Sequence, residues 1–342
     1  LLHFGGKDIK CAWIVVSLFV FLHPMSDMIQ QNSPVIYLAP LQGFADFVYR
    51  KAYAETFRGV DTCFTPYISV KNNEVLKKYL KEIQPENNPH LRTIPQVLAG
   101  DAEEMLFLTG ILKNHGYPEI NLNLGCPYPM VTNRGKGAGL LPHPEKISGI
   151  LTAFFEKTDL HLSVKLRAGL NSSSEIEKVI PVLNSFPLTE VIFHPRIAKQ
   201  LYDGEIIDSA FQFAQHNLKH RLVYNGNIFS VEEFNQTRQK FPENENFMLG
   251  RGILMNPFLP AEIKNIEIFT KEKLEKLKEF HQLVFKYYSE SMDNEGNVLN
   301  KMKQFWIYFS YNFPEQRKSF KLIKKATGLS KYQSAVKLIF GK

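Results

Sequence analysis

Cys126 stands between a glycine and a proline in NLNLGCPYPM (Asn121–Met130), directly after a short alternating apolar run. An unperturbed thiol ionises near pH ~8.5, so at neutral pH it is mostly protonated and can serve as a general acid. A reduced carrier that delivers hydride to one carbon of a conjugated double bond leaves the neighbouring carbon in need of such a proton. Nucleophilic use of the sulfur would require a base beside it, and His115 and His143 are the nearby candidates in sequence. A single cysteine can also be no more than a small buried hydrophobe. The residues gathered at equivalent places along the chain decide between these readings.

Those places are the ends of short apolar runs. Gln96 ends one and Asn123 another; Lys165 and Arg167 end a third, His194 and Arg196 a fourth. Two glycine-bearing ends follow, NGN (Asn225–Asn227) and GRG (Gly250–Gly252).

The runs themselves are strand-like: VIYLA from Val35, TCFTPYIS from Thr62, IPQVLAG from Ile94, EINLNLG from Glu119, LSVKLRAG from Leu162, EVIFHPR from Glu190, RLVYNGN from Arg221 and FMLGRG from Phe247. Stretches with apolar residues at helical spacing separate them, such as ADFVYRKAYAET, AEEMLFLTGILKNH and EKISGILTAFFEK. Alternating strands and helices imply parallel pairing with right-handed crossovers. Eight such units predict an α/β fold, a (β/α)8 TIM barrel over residues 34–260, with a doubly wound open sheet as runner-up. After Pro260 only helical patterns remain, which predicts a helical bundle over 261–342.

In such a barrel the C-terminal strand ends form the reactive rim, and the loops after strands seven and eight commonly hold a phosphate. NGN and GRG fall there, with Arg251 supplying charge. A phosphate site together with Gln96 and Lys165 suggests FMN: the lysine would stabilise negative charge on the reduced ring and the amide would meet its polar edge. His194 reads equally as a phosphate or flavin contact and as a satisfied structural histidine. GKGAG (Gly135–Gly139) lacks the spacing of a dinucleotide fingerprint and is expected to be a mobile loop beside Cys126.

Charge is distributed unevenly. The net formal charge is +7, and residues 261–342 hold 16 Lys or Arg against 9 Asp or Glu, so the remainder is neutral. From Asn297 on, ten basic residues face the single acid Glu315, interleaved with Trp306, Tyr308, Phe309, Tyr311, Phe313 and Phe320. Cations mixed with aromatics are what a surface tracking a phosphate backbone carries. The three cysteines have no metal-ligand spacing and are odd in number, which argues against a disulfide framework and for a reducing, cytoplasmic setting. No metal is expected. The apolar run Cys11–Leu22 is too short for a helix to span a bilayer; residues 1–33 are expected to be an N-terminal extension that is disordered or not native, with translation starting at Met25 or Met28.

With these residues assembled, the chain resembles the dihydrouridine synthases, flavoenzymes that reduce uridine in transfer RNA. APLQGFADFVYR is similar to their opening APMxGxTDxxFR element and NLNLGCPYPMVTNRGKGAGLL to their signature around the catalytic cysteine. VKLRAG, HPRIAKQLYDG, NGNI and GRG resemble the remaining blocks, in the same order. The resemblance implies FMN held by Pro40, Leu41, Gln42, Gln96, Lys165, His194, Asn225, Gly226, Asn227, Gly250 and Arg251, and NADPH as reductant. It implies Cys126 as proton donor to carbon 5 of uracil, Asn123 and Arg196 holding the base, and Lys136 with the basic tail, including Lys321, Lys324 and Lys325, contacting tRNA. A monomer is expected. Asn121 stands where the family has an aspartate, Leu41 replaces a methionine, and Pro195 and Ile197 alter the HGRT block. KMKQFWIYFSYNF (301–313) is nearer to the bacterial branch that modifies position 16. A dihydroorotate dehydrogenase-like FMN barrel has no use for the clustered cations, and a non-catalytic RNA-binding protein has none for Cys126, Lys165 and Asn123 together.

Overall fold

The computed structural model describes residues 33–71 and 74–341. The expectation for the N-terminal extension, 1–33, falls outside these residues, Ser33 apart. Nine strand segments form one parallel sheet: β1 (Val35–Leu38), β2 (Thr62–Phe64), β3 (Arg92–Ile94), β4 (Gln96–Val97), β5 (Glu119–Leu124), β6 (His161–Gly169), β7 (Glu190–Ile197), β8 (Arg221–Tyr224) and β9 (Asn246–Leu249). β3 and β4 are the halves of one stave. Pro95 between them has no N–H to give a ladder, and its carbonyl accepts the Asn121 N–H at 2.9 Å. β3 pairs with β2 and β4 with β5, so the two ends of the sheet meet at Pro95 and the barrel closes with eight staves. Closure excludes the open doubly wound sheet.

The barrel interior is apolar at mid-height, where Tyr37, Phe64, Ile94, Ile192, Val223 and Met248 pack together. At the N-terminal ends of the staves Tyr37 donates its hydroxyl to Glu190 at 2.9 Å and Arg92 pairs with Glu119. The helices α1 (Phe47–Thr56), α2 (Ala102–Asn114), α3 (Pro144–Lys157), α4 (Glu175–Leu183), α5 (Asp208–Asn217) and α6 (Val231–Lys240) form the outer layer. Asp46 and Asp101 start α1 and α2 by accepting the N–H of Tyr49 and Glu104, the capping that short acidic side chains favour.

After the last stave come α7 (Arg251–Met255), α8 (Thr270–Ser291), α9 (Glu295–Phe309), α10 (Gln316–Lys325) and α11 (Leu329–Phe340). Residues from Pro34 on form one compact unit. Phe280 on α8 is the anchor: its ring meets Tyr49 and Phe57 of the α1 region at 5.4 and 5.0 Å, and Phe305 of α9 at 5.6 Å. Trp306, Phe309 and Phe313, expected to interleave with cations on a nucleic-acid surface, are buried in this bundle; only Tyr311 among the six aromatics is exposed. Trp306 and Phe309, three apart, share the face of α9 that meets α8, and Phe313, after a 3-10 turn, folds back onto Trp306 and Phe340 of α11 at 5.4 and 5.1 Å. Among the described residues no helix is long and apolar enough to cross a membrane, and no group of three or more His, Cys, Asp or Glu could hold a metal ion.

Candidate active site

A cleft of about 860 Å³, counting its open mouth, lies at the C-terminal ends of the staves. Pro40, Leu41 and Gln42 reach it from the loop after β1, Asn123 and Cys126 from the end of β5, and Lys165 from β6. His194 and Arg196 reach it from β7, Asn225, Gly226 and Asn227 from the loop after β8, and Gly250 and Arg251 from the start of α7. Gln96 and Lys136 do not line it.

Gln96 lies one layer below and is fully buried. Its Oε1 accepts from Asn123 Nδ2 at 2.7 Å, and its Nε2 donates to Asn121 Oδ1 at 2.7 Å; Asn121 Nδ2 then donates to Ser163 Oγ at 2.9 Å. An aspartate at 121 would have no hydrogen to give Ser163. The asparagine therefore lets donors and acceptors alternate along the whole relay.

The relay ends at the thiol loop. Asn123 Oδ1 accepts the N–H groups of Gly125 and Cys126 at 3.0 and 2.8 Å, which turns the chain and points the cysteine at the cleft. Cys126 is only 6% exposed. Burial pushes its thiol up, opposed by the Tyr128 N–H, the Tyr67 hydroxyl and the charge of Arg167. GKGAG is not a free loop: Gly137–Leu140 form a buried 3-10 turn, and Ala138 N–H donates to the Cys126 carbonyl at 3.1 Å. Gly137 has φ +57°, and a Cβ there would come within 2.9 Å of Cys126 Cβ. Close approach to the cysteine, not mobility, requires this glycine. His115 caps α2 through the Ile111 carbonyl, at the opposite end of the barrel, and His143 pairs with Glu145 at 3.4 Å. Neither lines the cleft, so the nucleophile's base is missing from both expected places.

Four cations line the same cleft, Lys165, Arg167, Arg196 and Arg251, and no carboxylate does. Burial, then Arg167, push Lys165 down to about 7. Burial and the surrounding cations hold His194 neutral. Arg167 donates to the Gly125 and Ile197 carbonyls, both at 3.1 Å. Arg196 and Arg251 each donate to Asn227 Oδ1 at 3.2 Å, which brings two guanidiniums to one point. Arg196 Nε is buried without a partner. Like charges converging in a low-dielectric cleft, one with an orphaned donor, call for an anion. Gly252 lets the two glycine loops interlock, since a Cβ there would strike the Ile228 carbonyl, and Gly226 makes room for the Tyr224 side chain at the end of its own strand. This donor set fits a flavin nucleotide, with a phosphate at the glycine loops and an anion-forming ring near Lys165.

Tyr67, Tyr128 and Tyr202 also line the cleft. Tyr202 carries Arg167 and Arg251 over its ring, each 5.4 Å from the centroid. Arg167 is visible in the sequence as a strand-end cation, whereas Tyr202 follows a 3-10 turn with no periodicity to reveal it. Lys136 turns aside to pair with Glu104. Lys321, Lys324 and Lys325 are exposed on α10, and none pairs with a carboxylate among the described residues.

The dihydrouridine synthase (Dus) family model matches residues 37–337. A tRNA-dihydrouridine(16) synthase of Shigella flexneri is 29% identical over 245 residues, covering 67% of this chain and 75% of that protein. One of Neisseria meningitidis serogroup B is 26% identical over 293 residues, covering 81% and 87%. A solved structure of morphinone reductase in complex with tetrahydroNAD aligns with a TM-score of 0.48 at 10% identity, over 72% of this chain and 90% of that one. With the family model matched from the first stave to the last helix, this chain belongs to the dihydrouridine synthase family.

Proposed function

We propose that the chain reduces uridine to 5,6-dihydrouridine in transfer RNA, with FMN in the cleft and NADPH as reductant. The observation that carries this reading is a buried thiol and four cations without a carboxylate, all facing one cleft. Pro40, Leu41, Gln42, Lys165 and His194 would hold the ring, and Asn225 to Asn227, Gly250 and Arg251 the phosphate. When bound, reduced FMN supplies the hydride for carbon 6 of the pyrimidine.

The chain's own residues do the rest. Cys126 Sγ holds the proton for carbon 5, and the low-dielectric site keeps it there at neutral pH. Asn123, which orients the thiol loop, also faces the base. Arg167, bonded to the Gly125 carbonyl, is the cation beside the sulfur, and Arg196, which shares Asn227 Oδ1 with Arg251, would hold the base with Asn123. A uridine must leave its stack to reach the cleft, and the aromatic lining, Tyr67, Tyr128 and Tyr202, offers it stacking surfaces. Gln96 supports Asn123 from below. Lys321, Lys324 and Lys325 track the RNA backbone; Lys136 joins them by exchanging Glu104 for a phosphate. The reading takes the chain as a monomer in the cytoplasm. The position 16 relatives make that uridine the first to test.

The experiment is reconstitution with FMN and NADPH on unmodified tRNA transcript, followed by nucleoside mass spectrometry. Dihydrouridine that depends on both is the expected result. A protein that binds FMN and oxidises NADPH but leaves every uridine intact would overturn the substrate assignment.

A further inference from the structure

The loop that would hold the flavin does not stand alone. Gly43, the residue after Gln42, presents its carbonyl to Lys301 Nζ of α9 at 3.3 Å. The same ammonium reaches Asp46 Oδ2 at 3.0 Å. Tyr288 of α8 donates its hydroxyl to the two oxygens of Asp46, at 3.0 and 2.8 Å, and Lys301 lies over its ring, 5.6 Å from the centroid. Asp46 Oδ1 also accepts the Tyr49 N–H that starts α1. Gly43 has φ +86°, and a Cβ on it would meet Gln304 Nε2, again on α9, at 3.0 Å. Both ends of the turn between the cleft loop and α1 are thus fastened to helices that follow the barrel.

An ion pair of this kind can be a plain bolt between two packed parts, with little effect beyond stability. The carbonyl contact argues for more, because it acts on the backbone of the residue next to Gln42, and Gln42 lines the cleft. A shift at Gly43 is transmitted to Pro40–Gln42 over a single tight turn, in which Phe44 and Ala45 N–H both donate to the Leu41 carbonyl.

We propose that Lys301, with Asp46 and Tyr288, is a positioning residue for the Pro40–Gly43 loop and sets the affinity of the cleft for FMN. The flavin site is then complete only with α8 and α9 in place. This inference rests on the flavin reading above.

FMN is titrated into the full chain freed of flavin, following flavin fluorescence, with melting midpoints recorded beside each titration. Lys301→Met should bind about tenfold more weakly, and Asp46→Asn, which keeps an oxygen for Tyr49 N–H, should lose about as much. The double variant should be no weaker than either, since both break one clasp, and Lys301→Arg should recover most of the affinity. Equal affinity for wild type and Lys301→Met overturns the proposal, as do additive losses in the double variant. A lowered melting midpoint without rescue by arginine assigns Lys301 to packing and overturns it as well. Failure of the wild type itself to bind FMN removes the flavin reading and this inference with it, an outcome distinct from the others.

Discussion

Asn123 carries Cys126: the cysteine's N–H donates to Asn123 Oδ1 at 2.8 Å, and Gly125 N–H shares that oxygen at 3.0 Å. The last inward residue of β5 therefore sets where the thiol points. Asn123→Ala would leave both N–H groups and Gln96 Oε1 without partners, at about 1–3 kcal/mol for each group that water cannot reach. The melting midpoint should fall, and uridine reduction should fall further than FMN affinity. Equal losses in the two activities would show that Asn123 supports the cleft as a whole and not the thiol loop.

Cys126→Ala removes the proton donor alone. FMN binding and flavin reduction by NADPH should persist, while uridine reduction drops by about 10²–10⁴-fold. Because burial pushes the thiol up, an acid role predicts a rate that holds through neutral pH and declines only at alkaline pH, beyond the ordinary thiol range. Iodoacetamide should react slowly at neutral pH for the same reason. Unchanged turnover in the alanine variant would refute the acid role.

Lys165 is pushed down to about 7 by burial and by Arg167, so in the free protein it is only partly charged near neutrality. The reduced ring beside it forms an anion that favours the charged form, so its pKa must rise when reduced FMN binds. Binding of reduced FMN should accordingly take up protons near pH 7, and its affinity should weaken as pH rises through that value. Calorimetry in buffers of different ionisation enthalpy measures the uptake. Lys165→Met should abolish it and flatten the affinity profile; uptake that survives would point to another group.

The staves were legible because each is a short β-branched or alternating run bounded by turn residues, and the polar strand ends stood out against that background. Positions joined by folding alone were not. Nothing in sequence links Lys301 to Asp46, or Lys136 to Glu104, since these pairs form between separate elements. The aromatic tail carries a signal of its own against an exposed surface: Trp306, Phe309 and Phe313 keep helical spacing, the mark of a core stripe, and all three are buried. GKGAG read as a mobile loop because glycines permit motion, yet Gly137 is there for a close approach that only the fold creates.

That stripe gives the bundle a pH dependence. His281 of α8 packs against it, its Nε2 bonded to the Tyr332 hydroxyl at 2.6 Å, while Trp306 Nε1 donates to the same hydroxyl at 2.9 Å. Burial pushes His281 down to about 3 from its ordinary 6.5. A depressed folded-state value means that its contribution is fully present above pH 6.5 and is lost as pH falls toward about 3. The loss amounts to a few kcal/mol, at about 1.4 kcal/mol per unit. Urea midpoints should therefore fall on acidification below pH 6.5, and His281→Phe should reduce that slope even if it lowers stability at neutral pH. An identical slope in the variant would assign the acid sensitivity elsewhere.

α10 offers Lys321, Lys324 and Lys325 to solvent on one side while Ser319 and Ile323 face inward. A solvated face and a phosphate-tracking face look alike in a free protein, but they differ in salt dependence. Each lysine that neutralises a phosphate releases condensed counterion, contributing ~0.7 to ~0.9 to the slope of log affinity against log salt. Replacing all three by glutamine should weaken tRNA binding and lower the slope by about 2–3, with FMN affinity unchanged because none of the three reaches the cleft. Filter binding over a salt series measures both quantities. A weakened affinity with an unaltered slope would mean the lysines act through the fold of α10, and unaltered values of both would make them a solvated face only.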